Sequence, residues 1–145
     1  MKTYISSTPG RTKKIAAEIA KNPKYAGIIC LYGNLGAGKT VFAKGYAAQL
    51  GIKESDIKSP TYTFVRRYNI GKHHLYHFDF YRIEAMDDLL EHDLEEIFSE
   101  KNALILIEWP ERIETFLTGK HTKVELSYIN ETKRKITISQ LNGGL

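Results

Sequence analysis

The first apolar positions of the chain follow the spacing of a helix. Thr8-Pro9 is typical of a helix start, and Ile15 and Ile19, with alanines between them, predict a helix that extends to about Lys21. Asn22-Pro23 ends this helix, because proline cannot continue the hydrogen-bond pattern.

A buried strand, a glycine-rich turn and a second helix are predicted next. Residues 27–32 are a continuous apolar run rich in β-branched side chains, as expected of a strand that is covered on both faces. Residues 39–50 form the second predicted helix, and Gly51 follows at the position where glycine commonly closes a helix.

The second half of the chain begins with a predicted hairpin. Residues 61–70 and 74–81 alternate between apolar and polar side chains as strands do, and Gly71-Lys72 lies between them. Residues 85–99 then show helical spacing of their apolar positions, and we expect this helix to be interrupted near His92-Asp93.

The remaining segments complete the predicted secondary structure. Residues 103–107 have the pattern of a second buried strand, and residues 110–117 begin with a proline that suits the first turn of a helix. Residues 123–128 and 135–139 predict a closing hairpin. Buried central strands, flanking helices and added hairpins together predict an α/β layered domain with a mixed sheet.

Length and composition place the chain among ordinary globular proteins. The 145 residues contain no repeat or linker, and we interpret residues 1–145 as a single domain. No apolar run approaches the roughly 18 residues of a membrane helix. No apolar segment follows Met1-Lys2-Thr3-Tyr4, and the lone cysteine, Cys30, excludes a disulfide framework, so we expect a cytoplasmic protein. The net charge of +4 suits a polyanionic partner but is shared by many proteins without one.

One segment carries a specific chemical signature. It matches the pattern G-x-x-x-x-G-K-[ST] in full, as Gly33-Asn34-Leu35-Gly36-Ala37-Gly38-Lys39-Thr40. A triphosphate needs many hydrogen-bond donors around a compact anion, and glycines let successive backbone N–H groups approach it closely. The helix that begins near Lys39 adds its free N–H groups and the positive end of its dipole.

This glycine-rich loop (residues 33–40) therefore predicts nucleotide binding. Lys39 is expected to reach the β- and γ-phosphates, and the Thr40 hydroxyl is expected to coordinate Mg²⁺. The fold class becomes a P-loop NTPase-like layered domain, with a mixed and mostly buried central sheet flanked by helices. The candidate nucleotide-binding residues of this region are Gly33, Leu35, Gly36, Ala37, Gly38, Lys39, Thr40 and Val41.

Two acidic residues follow predicted strands and are candidates for the metal site. Glu108 comes directly after the apolar run 104–107, and Asp79 follows residues 74–78. Ligands of an open α/β sheet lie beyond the carboxyl ends of its strands, so both acids can face one crevice. The plainer interpretation is a solvated charge for Glu108 and an exposed hairpin position for Asp79. Trp109 is next to Glu108, although a lone tryptophan more often belongs to the core.

Two further features allow alternative interpretations. Thr61, within Ser59-Pro60-Thr61, lies where a threonine can sense a γ-phosphate, and a simple strand start explains it equally well. A basic and aromatic cluster suits contact with nucleic acid or an acidic protein face, but a solvated hairpin surface is the more ordinary interpretation. Its histidines lack the partners of a zinc site. The cluster comprises Arg66-Arg67-Tyr68, Lys72-His73-His74 and Tyr76-His77.

Four segments, in order and spacing, resemble the TsaE (YjeE) family of ATPases. They are the glycine-rich loop, Ser59-Pro60-Thr61-Tyr62-Thr63-Phe64, His77-Phe78-Asp79-Phe80-Tyr81-Arg82 and Ile107-Glu108-Trp109-Pro110. That family takes part in making the threonylcarbamoyl modification of the adenosine beside the tRNA anticodon. The resemblance spans nearly the whole chain.

The resemblance implies a compact P-loop domain that uses ATP and Mg²⁺. Thr40 and Glu108 would hold Mg²⁺, directly or through water. Asp79 and Thr61 would assist hydrolysis or switching. Trp109 would lie near the nucleotide or the partner surface.

The resemblance also implies partners. The family works with TsaD, which carries the transfer chemistry, and with TsaB, its scaffold. ATP hydrolysis is thought to reset that complex between turnovers, so tRNA would be met only indirectly, through the complex, and no membrane is involved. Arg134, near the closing hairpin, would approach the nucleotide.

Two other classes of protein share such a loop. A small-molecule kinase would need an acceptor pocket and a cationic lid, and so short a chain has no obvious inserted lid. In a nucleotide-gated binding module, ATP would order residues 61–70 for a partner with negligible hydrolysis. For the accessory ATPase we predict a low intrinsic rate, because Lys39 is the one strong phosphate-facing cation and Arg82 and Arg112 are unplaced.

Overall fold

The computed structural model of the chain describes residues 1–142. The helices are α1 (Pro9–Lys21), α2 (Lys39–Gln49) and α3 (Asp88–Phe98). The strands are β1 (Lys2–Ser6), β2 (Ile28–Tyr32), β3 (Val65–Ile70), β4 (His73–Asp79), β5 (Ala103–Glu108), β6 (His121–Tyr128) and β7 (Arg134–Leu141). Short 3₁₀ helices lie at Pro23–Tyr25, Glu54–Asp56 and Pro110–Phe116.

The strands form a seven-stranded sheet in the order β1-β7-β6-β2-β5-β4-β3. The central strands are parallel, with β2 between β5 and β6 and with β5 also beside β4. The outer pairs β1–β7, β6–β7 and β3–β4 are antiparallel. The sheet is therefore mixed, with helices packed on both faces, and this architecture confirms the predicted fold class.

The alternation of side chains along the central strands divides the core into two layers. Ile29 and Leu31 of β2 pack with α1 and α2, while Cys30 between them faces the layer that contains α3. Each central strand is thus buried on both sides. This is why the sequences of β2 and β5 are nearly continuous apolar runs.

The first two helices have the predicted bounds within one residue. Thr8 caps α1, because its hydroxyl accepts a hydrogen bond from the Arg11 N–H group, and Pro9 occupies the first turn. Asn22 ends the helix. After α2, Gly51 has a φ of 103°, which a glycine adopts without strain.

Three predicted details were wrong. Helix α3 continues through His92-Asp93 without a break, because both residues are exposed, neither is Gly or Pro, and His92 pairs with Glu96 one turn later at 3.3 Å. The strand expected from residue 61 begins at Val65, since residues 61–64 form a turn in which Phe64 has a φ of 67°. The helix expected at residues 110–117 is a kinked 3₁₀ helix.

The edge strand β1 is an addition that the sequence did not predict. It lies antiparallel to β7, and four of its five residues are partly or fully exposed. Such a short strand has too little apolar alternation to be recognised locally.

Within residues 1–142, no helix has both the length and the apolar character needed to cross a membrane.

Candidate functional site

The glycine-rich loop connects the carboxyl end of β2 to the first turn of α2. Gly36 and Gly38 have φ values of 80° and 106°, so the loop uses a backbone region that side-chain-bearing residues rarely adopt. A Cβ atom on Gly33 would lie 2.6 Å from the Leu126 carbonyl oxygen. The glycine spacing is thus required by the shape of the loop and by its contact with β6.

Lys39 turns back across this loop. Its Nζ atom donates a hydrogen bond to the Gly33 carbonyl oxygen at 2.5 Å and lies 3.5 Å from the centre of the Trp109 ring. The side chain is buried, and this burial lowers the pKa of Lys39, an effect that Glu108, Glu111 and Asp79 oppose. A cation is therefore held directly beside the loop.

The two candidate acids lie side by side. In the parallel pair β4–β5, Asp79 is in register with Glu108, and both are the last residues of their strands. Residues an even number of positions apart on a strand point to the same face of the sheet. Leu75 of β4 and Leu106 of β5 belong to the α1–α2 layer of the core, so the side chains of Asp79 and Glu108 are also on the face that α2 covers. Asp79 is only 4% exposed, so its interpretation as an exposed hairpin residue is wrong. Glu108 is only 3% exposed, so its interpretation as a solvated charge is wrong as well.

Hydrogen bonds give the two carboxylates different surroundings. Asp79 accepts hydrogen bonds from the Thr61 hydroxyl at 2.9 Å and from the Tyr81 N–H group at 2.9 Å. Glu108 accepts one from the Thr40 hydroxyl at the long distance of 3.5 Å. Thr61 is thereby linked to Asp79, and Thr40 is brought to Glu108.

Trp109 covers this group of side chains. Its backbone has a φ of 59°, an unusual value for a residue with a side chain, and the Tyr81 ring packs against it with centres 4.9 Å apart. Together with the contact to Lys39, this places the indole at the site, where it also packs against the core layer that contains α3.

Two adjoining cavities contain nearly all of the candidate residues. The first, of about 340 Å³, brings the loop and both acids together and is lined by Leu35, Gly36, Gly38, Lys39, Thr40, Val41, Thr61, Asp79, Tyr81, Glu108 and Trp109. The second, of about 330 Å³, shares Gly36, Gly38 and Val41 with the first and is lined also by Ser6, Ser7, Thr8, Pro9, Thr12, Ala37, Glu131, Thr132 and Arg134. Gly33 lies at the base of the loop, beneath Lys39.

The predicted basic and aromatic cluster does not form one surface. Tyr76 and His77 are buried, and His77 faces Glu108. Arg67 stays on the outside, where it contacts His74 at 3.1 Å. Strand alternation places His77 on the sheet face that α2 covers. Arg67 and Tyr76 are paired across β3 and β4 on the other face, where the guanidinium lies 5.8 Å from the centre of the Tyr76 ring.

Sequence reasoning missed three residues of the site. His77 contacts Glu108, Tyr81 packs on Trp109, and Tyr128 donates a hydrogen bond to the Leu35 carbonyl oxygen at 3.1 Å. Since Tyr128 is 93 residues from its partner, no local pattern could have identified it.

The fold and this arrangement of residues define a class, the α/β proteins of P-loop NTPase-like fold with two acids facing the loop. Within that class, the chain belongs to the TsaE family, since the family model described as "Threonylcarbamoyl adenosine biosynthesis protein TsaE" matches residues 6–136. The resemblance found in the four sequence segments is thereby confirmed.

Individual relatives agree with this assignment. The chain is 37% identical over 131 residues to the tRNA threonylcarbamoyladenosine biosynthesis protein TsaE of Rickettsia prowazekii, covering 90% of each chain. It is 36% identical over 139 residues to the protein of the same name from Aquifex aeolicus, covering 95% of this chain and 96% of the other. The crystal structure of Bacillus subtilis YdiB is similar over 98% of this chain and 86% of that one, with a TM-score of 0.76 and 32% identity.

Proposed function

We propose that this chain is an accessory Mg²⁺-dependent ATPase of tRNA threonylcarbamoyladenosine biosynthesis, which hydrolyses ATP to reset or activate a TsaD–TsaB complex. The observation that carries the proposal is the first cavity, where the glycine-rich loop, Lys39 and the paired acids Asp79 and Glu108 meet. The pathway is the one named for the family and its relatives.

The two cavities suit the two halves of a nucleotide. Phosphates would lie against the loop amides, the amino end of α2 and Lys39 in the first cavity. The base and ribose would extend past Val41 into the second cavity, where Arg134 lies. This division supports the nucleotide-binding roles expected for the loop residues, Trp109 and Arg134.

The donor set of the first cavity suits Mg²⁺. Hydroxyl and carboxylate oxygens are its preferred ligands, and it commonly uses one or two carboxylates together with phosphate oxygens. Thr40 and Glu108, which approach each other, would hold the ion. When bound, Mg²⁺ would neutralise charge on the phosphate oxygens.

The second acid would serve hydrolysis. Asp79 is held by Thr61 and by the Tyr81 N–H group, so its carboxylate is fixed in orientation toward the cavity. From there Asp79 would orient the attacking water. Thr61 would sense the γ-phosphate and order the segment that precedes β3. Both would act as catalytic residues together with Glu108.

Turnover by the isolated chain would be slow. Of the described residues that line the first cavity, Lys39 is the one cation, and the Arg82 guanidinium is packed over the Tyr62 ring at 4.4 Å. A partner that supplies a second cation would raise the rate by roughly 10³–10⁵, the effect of an added arginine in related chemistry.

A nucleotide-gated binding module is the second candidate function. The Thr61–Asp79 hydrogen bond favours it, because the bond couples the cavity to the exposed residues Tyr62 and Phe64. In that case ATP would order this segment for a partner without being hydrolysed.

The deciding experiment measures ATP binding and hydrolysis by the full chain, alone and with TsaD–TsaB. We expect the complex to stimulate hydrolysis, and Lys39→Ala and Glu108→Ala to lower the stimulated rate by about 10²–10³-fold, comparable to removing one transition-state donor. Lys14→Ala and Glu18→Ala, both exposed on α1, are matched controls that should behave as wild type. ATP binding without hydrolysis under every condition would instead establish the binding module.

A further inference from the structure

His77 is a buried histidine to which the proposed function gives no role. It lies two residues before Asp79 on β4, and its side chain is 3% exposed. Its Nε2 atom is 2.6 Å from Oε2 of Glu108, whose side chain is 4% exposed. A polar side chain that is this deeply buried is generally hydrogen-bonded, because burying it without a partner costs free energy.

Strand register explains how the two side chains meet. His77 is opposite Leu106 in the parallel pair β4–β5, and Glu108 lies two residues further along β5. His77 and Glu108 are therefore diagonal neighbours on one face of the sheet, a separation that a long side chain spans. That same face is covered by α2, which begins with Lys39 and Thr40.

The chemistry of the pair assigns the donor. An ionised carboxylate only accepts hydrogen bonds, so the Nε2 atom of His77 carries the hydrogen. The bond is charge-assisted and holds one oxygen of Glu108 in place. The other oxygen, Oε1, is the one that approaches the Thr40 hydroxyl.

We propose that His77 is a positioning residue that holds the Glu108 carboxylate with Oε1 directed toward Thr40, where the Mg²⁺ of the proposed function would bind. This inference rests on that function. Without the Nε2 donor, the Glu108 carboxylate would keep only the long hydrogen bond from Thr40 among the described side chains, and it would be free to rotate. His77 is not among the residues that line the first cavity, so it would act through Glu108 and not by touching nucleotide or metal.

Three substitutions separate positioning from simple burial. His77→Leu keeps a similar volume but removes the donor, while His77→Gln places an amide N–H group at a similar reach. His77→Asn is a shorter amide that cannot reach Glu108, so it should fail where His77→Gln succeeds. The matched control is His121→Leu. His121 is also buried and begins β6 at the opposite end of the parallel strands. Its Nδ1–H group donates a hydrogen bond to the Gly119 carbonyl oxygen at 2.9 Å.

The experiment measures the affinity of the full chain for a non-hydrolysable ATP analogue by calorimetry, first in EDTA and then over a range of Mg²⁺ concentrations. We expect His77→Leu and His77→Asn to leave the EDTA affinity unchanged and to weaken the Mg²⁺-dependent gain by about 10–100-fold, the usual effect of losing such an outer partner. His77→Gln should restore most of the gain, and His121→Leu should match wild type. A folded His77→Leu, or a His77→Asn, with the wild-type Mg²⁺ dependence would overturn the inference.

A second measurement uses the protein without nucleotide. In nitrogen-15 NMR spectra of the imidazole groups, the His77 ring should carry its hydrogen on Nε2, and Glu108→Gln should shift that signal while leaving the His121 signal in place. An unaffected His77 signal would contradict the contact itself. If the NMR test succeeds but the wild-type protein shows no Mg²⁺-dependent nucleotide binding, the proposed function is wrong and the positioning role is wrong with it. If the wild-type protein shows Mg²⁺-dependent binding and the His77→Leu and His77→Asn variants bind equally well, only the positioning role is wrong.

Discussion

At the scale of single residues, the glycine-rich loop depends on a tyrosine from the other end of the chain. The Tyr128 hydroxyl donates to the Leu35 carbonyl oxygen, and the Arg134 guanidinium lies 4.2 Å from the Tyr128 ring centre. Gly36 passes beside the hydroxyl end of Tyr128, where an added Cβ atom would be 2.4 Å from the hydroxyl oxygen. The loop therefore takes its shape partly from β6 and β7.

Gly36→Ala should consequently impair nucleotide binding. The substitution adds a steric conflict with Tyr128 to the 1–2 kcal/mol that a left-handed backbone costs an alanine, and we expect the ATP affinity to fall by about 10-fold or more. Calorimetric titration measures this directly. Gly71→Ala is the matched control, because Gly71 has a φ of 57° and no neighbouring atom within 4 Å. Its ATP affinity should stay unchanged, and adding Tyr128→Phe should partly rescue Gly36→Ala. An equal effect of both glycine substitutions would show that contact with Tyr128 is unimportant.

At the scale of elements, the close approach of α1 to α2 sets the position of the helix that follows the loop. Gly45 of α2 lies against Lys13 of α1, where an added Cβ atom would be 2.5 Å from the Lys13 Cα atom. Because the obstacle is backbone, no side-chain rotation can relieve it. A helix-interior glycine is here a packing requirement and not a weakness.

Gly45→Ala should therefore destabilise the protein even though alanine is the better helix former. Overpacking costs about 1–3 kcal/mol and outweighs a propensity gain of up to ~1 kcal/mol. Urea unfolding followed by circular dichroism gives the free energy. Gly10→Ala, in the first turn of α1 with its nearest atom at 3.8 Å, is the control and should be neutral or slightly stabilising. A stabilised Gly45→Ala variant would mean that the two helices can separate without cost.

The elements also show where local patterns suffice. Helices α1 and α2 and strands β2 and β5 were predicted within a few residues, because their caps and apolar periods are local features. The interruption of α3 was wrongly predicted from two polar residues, and β1 was missed. Both errors concern exposed segments, for which apolar periodicity carries little information.

At the scale of the whole molecule, Cys30 reports on the integrity of the sheet. It lies in the central strand β2 and is completely buried. Burial, with a smaller contribution from Glu111 and Glu114, raises the pKa of the Cys30 thiol from 9.0 to about 12. The folded state binds the thiol proton more tightly than the unfolded state does. The contribution of this proton to the free energy of unfolding is therefore fully present below pH 9 and is lost as the pH rises toward 12.

We expect the Cys30 thiol to react with iodoacetamide at pH 8 only when the molecule opens. Since the thiolate is the reactive form, labelling should be negligible under native conditions and rapid in urea. If the chain binds Mg-ATP as proposed, nucleotide at 100 times its dissociation constant should slow labelling about 100-fold, which corresponds to ~2.7 kcal/mol of added stability. Mass spectrometry measures the modified fraction. Fast labelling of the native protein, unaffected by urea, would contradict the burial of β2.

The candidate site could be predicted where its functional residues belong to short, recognisable sequence motifs. The glycine spacing before Lys39 and the acids that follow apolar runs pointed to the residues that now line one cavity. Their expected roles with nucleotide and metal stay predictions. Sequence could not show that Asp79 and Glu108 would be in register, because the pairing of β4 with β5 is a property of the assembled sheet.

Local sequence was enough to predict α1, α2, the central strands and the glycine-rich loop, since caps, apolar periods and glycine positions act on neighbouring residues. Which distant groups share a site depends instead on the assembled fold. His77 meets Glu108 across 31 residues, and Tyr128 meets Leu35 across 93. Such pairs depend on strand order and register, which arise when the two core layers pack and bury apolar surface along the whole chain at once.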